Sequence, residues 1–282
     1  MRTALKWLGR GALALVLLLL VAAGAVYGLS EQLLNQTYEV EAEPIAIPSD
    51  SASIAEGERL ARIRGCYNGC HGEVAEGGVF FEDPMLGTIT APDLTRAVRS
   101  LSDAELNRVI RHGVRADGRS VAAMPSSMLY HLTDEDLGAI IAFLRRLPPT
   151  DGPEADLRLG PLGRFLFVKG DFQPAAEEID HEATRLDPGD GSDPIALGRY
   201  LAMTSCTECH GLDLGGGFDS PNLAITAAYT PEQFQTLMRT GEPFDGRDLR
   251  LMDDMSRKRF SYFTDAEIDA LYAFLTTELA GS

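Results

Sequence analysis

Residues 11–29 carry no charged side chain and are mostly Leu, Ala and Val, with Arg2, Lys6 and Arg10 ahead of them. A run of this length can cross the hydrocarbon core of a bilayer as a helix. The basic residues on its leading side assign that end to the cytoplasm and everything beyond to the outer face. Ala23, Gly24 and Ala25 also offer a small-residue cleavage site of the kind that ends a signal peptide. An uncleaved anchor over residues 1–30 is the expectation, because the run is long for a signal segment and Leu33 and Leu34 extend it. Further along, the pattern changes to helical spacing. Leu137, Ile140, Ile141 and Leu144 follow a Thr133 cap and the acidic turn Asp134, Glu135, Asp136. Ile268, Leu271, Tyr272 and Leu275 follow Thr264, Asp265 and Glu267 in the same way. Acidic residues in a first turn complement the positive end of a helix. No stretch alternates apolar and polar residues clearly, so the predicted fold class is all-α with few strands.

These two helices close two copies of one plan, residues 49–148 and 190–282. Each copy opens on a helix, with Gly57 in one and Gly198 in the other, and then reaches a cysteine pair followed by His-Gly. A proline-bearing loop comes next, at Pro92 or Pro221. The following helix starts in a capping box, Ser102 with Glu105 and Thr230 with Gln233, and ends at Gly113 or Gly241. Phe143 and Phe274 match on the last helices, where an aromatic opposite Gly57 or Gly198 would let two helices cross closely. Between the copies, residues 149–189 are rich in Pro, Gly and acid but include an apolar stretch, and read as an ordered strap. Residues 31–48, with Pro44 and Pro48, read as an extended stalk.

The chain has 282 residues and a formal net charge of −17, with a pI of about 4.6. Such acidity argues against a nucleic-acid partner, since nothing here would neutralise phosphates. It suits solubility and the steering of positively charged partners.

All four cysteines fall in the two motifs. Cys206, Thr207, Glu208, Cys209 and His210 have the spacing that fastens a haem through two thioethers and offers an imidazole to its iron. Cys66, Tyr67, Asn68, Gly69, Cys70 and His71 repeat it with one extra residue, which Asn68 and Gly69 allow to bulge. Disulfides are the competing use of thiols in an exported chain, and a zinc site would need four ligands gathered from both copies. For a sixth iron ligand, Met124 and Met255 each stand ten residues ahead of the acidic start of the last helix. Met128 and Met252 are near misses, and aligning the preceding loops instead would select Met252. His131 is the main rival to Met124; His112 and His181 read as surface or capping residues.

These motifs resemble the class I c-type cytochromes, and the resemblance covers most of the chain after the stalk. The chain looks like a membrane-anchored dihaem member, two tandem cytochrome c domains behind a transmembrane helix, similar to cytochrome subunits of bacterial quinoprotein and flavoprotein dehydrogenases. The resemblance implies two covalently bound haems c, with His71 and His210 proximal and Met124 and Met255 distal. Two departures are visible: the extra residue at the first attachment motif, and Ser256 after Met255 where the family usually has Pro. The implied function is outer-sphere electron transfer without catalysis, as a carrier or as a subunit of a respiratory or dehydrogenase complex. The implied partners are a dehydrogenase, a quinol-oxidising complex, a soluble cytochrome or a terminal oxidase. The implied place is the periplasmic face of a bacterial cytoplasmic membrane. A dihaem peroxidase is the alternative; it would need an open sixth position with acid–base groups beside it.

Overall fold

A computed structural model describes residues 2–121, 123–217 and 220–279, so the ends of the expected segments 1–30 and 190–282 fall partly outside it. The first helix, α1 (Arg2–Leu34), runs four residues past the expected anchor and is exposed over nearly all its length. At 1.5 Å per residue it is about 50 Å long, more than a hydrocarbon core requires. Among the described residues it is the helix whose length and composition allow a membrane crossing.

The expected stalk is not free. After α1 the chain lies along the first copy as a belt. Tyr38 donates its N–H to Gly118 O at 2.8 Å, the Asn107 side chain donates to Glu43 O at 2.9 Å, and Ile45 joins the core. Gly138 is needed beneath it, because a Cβ there would sit 2.4 Å from Ala46 O. The prolines that read as a spacer instead keep the belt extended as it crosses the last helix of the copy.

The first copy comprises α2 (Ser51–Ile63), the hairpin β1 (Gly78–Asp83) and β2 (Gly87–Ala91), α3 (Leu94–Ser100), α4 (Asp103–His112), α5 (Ser126–Leu129) and α6 (Asp134–Leu144). The strap contributes β3 (Asp156–Leu159), α7 (Pro161–Lys169) and a 3₁₀ turn over Ala175–Glu178. The second copy comprises α8 (Pro194–Met203), α9 (Thr207–His210), a 3₁₀ stretch over Leu223–Ala228, α10 (Pro231–Thr240), α11 (Leu251–Lys258) and α12 (Asp265–Glu278). The fold is mostly helical, as the periodicity predicts. Its small antiparallel sheet has the order β1-β2-β3, with the third strand supplied by the strap. β1 lacks alternation because it is exposed on both faces and bulged between Val79 and Phe81.

The caps form as the residues dictate. Ser102–Glu105 and Thr230–Gln233 are complete capping boxes, and Gly113 and Gly241 end their helices at φ 66° and 81°. In each copy the first and last helices cross tightly. A Cβ on Gly57 would lie 1.9 Å from Ala139 O in α6, and one on Gly198 would lie 2.0 Å from Ala270 O in α12 and 2.7 Å from Phe274 Cβ. The copies are clasped to each other by polar contacts. Arg59 of α2 grips Glu267 of α12 through two bonds of 2.7 and 2.9 Å, and Tyr200 of α8 donates to Asp136 of α6.

Candidate cofactor-attachment sites

His71 and His210 sit in loops of one design. In each, Nδ1 faces the carbonyl of the loop proline, Pro92 O at 3.0 Å and Pro221 O at 2.8 Å. A carbonyl only accepts, so Nδ1 carries the proton and the lone pair lies on Nε2. That tautomer and orientation suit a metal-binding imidazole, whose other nitrogen is normally held by such an acceptor. Burial pushes both rings' pKa values below the usual histidine range, against a weaker upward pull from the proline carbonyls. The surrounding backbone repeats too. Ala75 and Leu214 both adopt left-handed φ, 65° and 58°. Gly77 N bonds His71 O at 2.8 Å, and Gly216 N bonds His210 O at 2.9 Å. Leu94 N reaches Ala75 O, and Leu223 N reaches Leu214 O, both at 2.9 Å. The first loop is longer because it carries the β1–β2 hairpin.

No disulfide joins the four cysteines in the structure. Burial pushes Cys66 and Cys70 up to about 11 and Cys206 up to about 12. Sulfurs in such surroundings are neutral. That suits thioethers and works against a thiolate metal centre. Among the described residues, no group of His, Cys, Asp and Glu is arranged to hold a metal ion.

The two cysteine pairs meet across the boundary between the copies. Glu208 and Cys209 of the second pair raise the Cys70 thiol further, after burial, while Arg259 opposes them. Two buried arginines, each 3% exposed, stand between the pairs. Arg64 donates to Ser205 Oγ at 2.9 Å. Arg259 donates Nε to Ile63 O at 2.9 Å and Nη1 to Glu208 at 3.0 Å. Arg64 Nε and Nη2 and Arg259 Nη2 have no acceptor within the protein. Unmatched buried donors of this kind call for an acceptor that the chain itself does not supply. A porphyrin bearing carboxylates has the right chemistry. The anchored imidazoles, the neutral thiols and the orphaned guanidinium N–H groups together fit covalently held haem.

Met124 is half-buried just ahead of Pro125 and α5, and Met255 is half-buried in α11. Met124, Pro125 and Met128 line a cleft of about 590 Å³ together with Thr207, Glu208 and Leu212 of the second copy. The Met255 sulfur lies 3.8 Å from Arg259 Nη1. Met252 lies one turn earlier on the same helix. His131 turns toward the strap, where its Nδ1 accepts the Leu186 N–H at 3.4 Å. His112, at the end of α4, and His181 are both half-buried and form a pair, Nδ1 to Nδ1 at 3.0 Å, beside Tyr130. His181 Nε2 donates to Ala176 O, so its Nδ1 accepts from His112. All three spare histidines therefore fasten the strap.

Sequence reasoning missed the proline carbonyls and the two arginines. The prolines had a signal, since both stand two residues before a Leu at matching points of the repeat. The arginines had none, because Ser205, the partner of Arg64, and Ile63, a partner of Arg259, lie in the opposite copy, and Glu208 is 51 residues before Arg259.

Residues 52–144 match the family described as cytochrome c oxidase, cbb3-type, subunit III, and residues 195–278 match the cytochrome c family. The cytochrome c subunit of alcohol dehydrogenase (quinone) from Gluconacetobacter polyoxogenes is 26% identical over 273 residues, covering 80% of this chain and 56% of that protein. The fructose dehydrogenase cytochrome subunit of Gluconobacter japonicus is 25% identical over 265 residues, with 83% and 54% covered. The gluconate 2-dehydrogenase cytochrome c subunit of Pantoea cypripedii is 29% identical over 179 residues, with 57% and 38% covered. The chain spans about half the length of the first two relatives.

Proposed function

From the premise that this chain is a class I c-type cytochrome with two cytochrome c domains, we propose that it relays electrons between protein partners at a membrane and performs no bond chemistry of its own. The observation that carries the reading is the doubled His–Pro device, an imidazole fixed at Nδ1 beside a cysteine pair, once in each half. In this reading residues 49–148 and 190–282 are the two redox domains and residues 149–189 the strap that joins them. Cys66 and Cys70 would hold one haem c and Cys206 and Cys209 a second. His71 and Met124 would serve the first iron, His210 and Met255 the second. When bound, the group supplies a one-electron couple whose potential follows from its axial ligands and surroundings.

The protein's own part is to hold, exclude and tune. Pro92 O and Pro221 O fix ring orientation and partly offset the loss of basicity that burial imposes on each imidazole. Partial burial of the cysteines and histidines limits water at the attachment segments. Arg64 and Arg259 put positive charge between the two sites, which favours the more negative, reduced form of each. Met255 is preferred to Met252 because its sulfur already faces the Arg259 clasp between the copies.

The named relatives make a dehydrogenase the first partner to test, with a quinol-oxidising complex, a soluble cytochrome or a terminal oxidase on the other side of the relay. The basic flank of α1 argues for an exported body held at the outer face of a bacterial cytoplasmic membrane. The peroxidase alternative draws no support from these relatives. Pyridine haemochrome titration per polypeptide, with the mass of the denatured chain, tests the count directly. Two haems retained after denaturation are expected. One haem, or none, refutes the assignment of the corresponding cysteine pair. Met124→Ala and Met255→Ala should each remove about half of any sulfur-to-iron charge-transfer absorbance, and a variant that leaves it intact refutes that ligand.

A further inference from the structure

The hairpin and α7 present an apolar surface beside the end of α1. Val79, Phe80, Phe81 and Met85 of the hairpin and Leu162 and Phe165 of α7 are between 38% and 61% exposed. The hairpin turn is seated on the start of α7, which sets Met85 beside Leu162. Gly160 N donates to Leu86 O, and Leu162 N to Met85 O, both at 3.0 Å. Gly163 permits the approach, since a Cβ there would stand 2.0 Å from Leu86 O. Leu162 and Phe165 are three residues apart and share one helix face. Phe167 faces the other way, buried against Phe172 with ring centres 5.6 Å apart. Large apolar side chains left exposed and gathered at one end of a domain in this way mark an interaction site.

What covers it follows from where it sits. Arg164, between Leu162 and Phe165, donates to Ser30 Oγ at 2.7 Å and to Glu31 at 2.6 Å, and its guanidinium lies 4.6 Å from the Tyr27 ring centre. Those three residues straddle the point where the apolar run of α1 stops. An aromatic ring and an arginine at that level are what the boundary between hydrocarbon and headgroups selects. We propose that the hairpin and α7 form a second membrane contact, dipping their apolar side chains into the bilayer interface next to α1. The first domain is thereby seated on the membrane instead of hanging from it. The proposal rests on the reading that α1 spans the bilayer. The nearby charges, Glu82, Asp83, Asp156, Arg158 and Lys169, are mixed and include three acids. The contact is therefore apolar in origin and independent of anionic lipid.

The test uses the full haem-loaded chain in phosphatidylcholine vesicles containing a phosphatidylcholine with a diazirine on its acyl chain. After illumination, lipid adducts are mapped by mass spectrometry. Adducts are expected on α1 and on the peptides carrying Phe80 and Phe165, the latter about tenfold above the peptide carrying the equally exposed Leu212 of the second half. Adding phosphatidylglycerol should leave that ratio unchanged. The double variant Phe80→Glu, Phe165→Glu should keep the α1 adducts and lose the others, with an unchanged haem spectrum reporting intact folding. Adducts confined to α1 overturn the proposal and assign the patch to a protein partner. Absence of adducts on α1 itself overturns the anchor, a distinct result.

Discussion

Arg259→Met removes a buried guanidinium from the boundary between the halves while keeping most of its aliphatic stem. Two bonds are lost, Nε to Ile63 O at the end of α2 and Nη1 to Glu208 between the second pair of cysteines. Ile63 O is left without a partner in a buried place, at a cost of about 1–3 kcal/mol. Glu208 keeps 23% of its side chain exposed and so rehydrates in part. Loss of the ion pair then adds about 1 kcal/mol, well short of the full cost of stranding a buried charge. Against these, the substitution abolishes the unmatched Nη2, which gives something back. The net is about 2–3 kcal/mol of destabilisation, concentrated at the contact between the halves. Guanidinium chloride unfolding, followed by haem absorbance and far-UV circular dichroism, should show a lower midpoint and a transition that separates into two. A cycle with Glu208→Gln should give a coupling of about 1 kcal/mol. If Arg259→Met unfolds at the wild-type midpoint as a single transition, the arginine does not clasp the halves and the reasoning fails.

Gly57→Ala and Gly198→Ala should each destabilise their own half by at least about 1–3 kcal/mol, because the added Cβ meets the backbone carbonyl of Ala139 or Ala270 and the crossing helices must separate; unchanged thermal unfolding would contradict the close crossing. Burial, helped by His181, Arg111 and Arg185, pushes His112 down to about 4. The unfolded chain therefore takes up the proton first, near pH 6.5, so this contribution to stability is complete above pH 6.5 and is lost as pH falls towards 4. Thermal unfolding of His112→Gln should depend less on pH in that window than wild type; equal slopes would show that the His112–His181 pair is not titrating with folding.

The helical repeat was legible because its signals are local. Thr133, Ser102, Thr230 and Thr264 bond backbone N–H groups three residues on, and Gly113 and Gly241 need only their own φ. The cysteine–histidine motifs were legible for the same reason. What escaped depends on residues far apart in the chain. Residues 31–48 read as a stalk because prolines and acids look alike in a linker and in an extended belt, and only Gly138 in α6 betrays the contact. The sheet escaped because its third strand comes from the strap, at Asp156–Leu159, some seventy residues after its partner. His112 and His181 read as surface or capping groups, and His131 as a rival ligand, because their partners, Ala176, His181 and Leu186, belong to a segment without periodicity.

The extra residue at the first motif is the visible half of a larger adjustment. From the helix-crossing glycine to the first cysteine, the first copy is also one residue longer, Gly57 to Cys66 against Gly198 to Cys206. Cys206 N bonds Ala202 O four residues back, whereas Cys66 N bonds Ala61 O five back, and Cys70 N bonds Gly65 O five back. Each added residue is thus absorbed by a widened turn, and the chain regains register at His71, where the proline bond matches that of His210. Two positions bear the strain. Asn68 takes φ 56° and Gly65 takes φ 76°, while a Cβ on Gly65 would also lie 3.3 Å from Arg259 Cζ. Gly65→Ala should therefore destabilise the first half by about 1–2 kcal/mol and disturb the arginine clasp, whereas Ser205→Ala, at the matching place in the second half, should lose only its bond to Arg64, about 1 kcal/mol. Unfolding midpoints for the two variants distinguish them, and equal losses would mean that the widened turn places no special demand on glycine. Deleting Gly69 to restore the shorter cysteine spacing should not restore the second geometry, because the wider turn at Ala61 remains and the shortened loop would pull His71 away from Pro92 O.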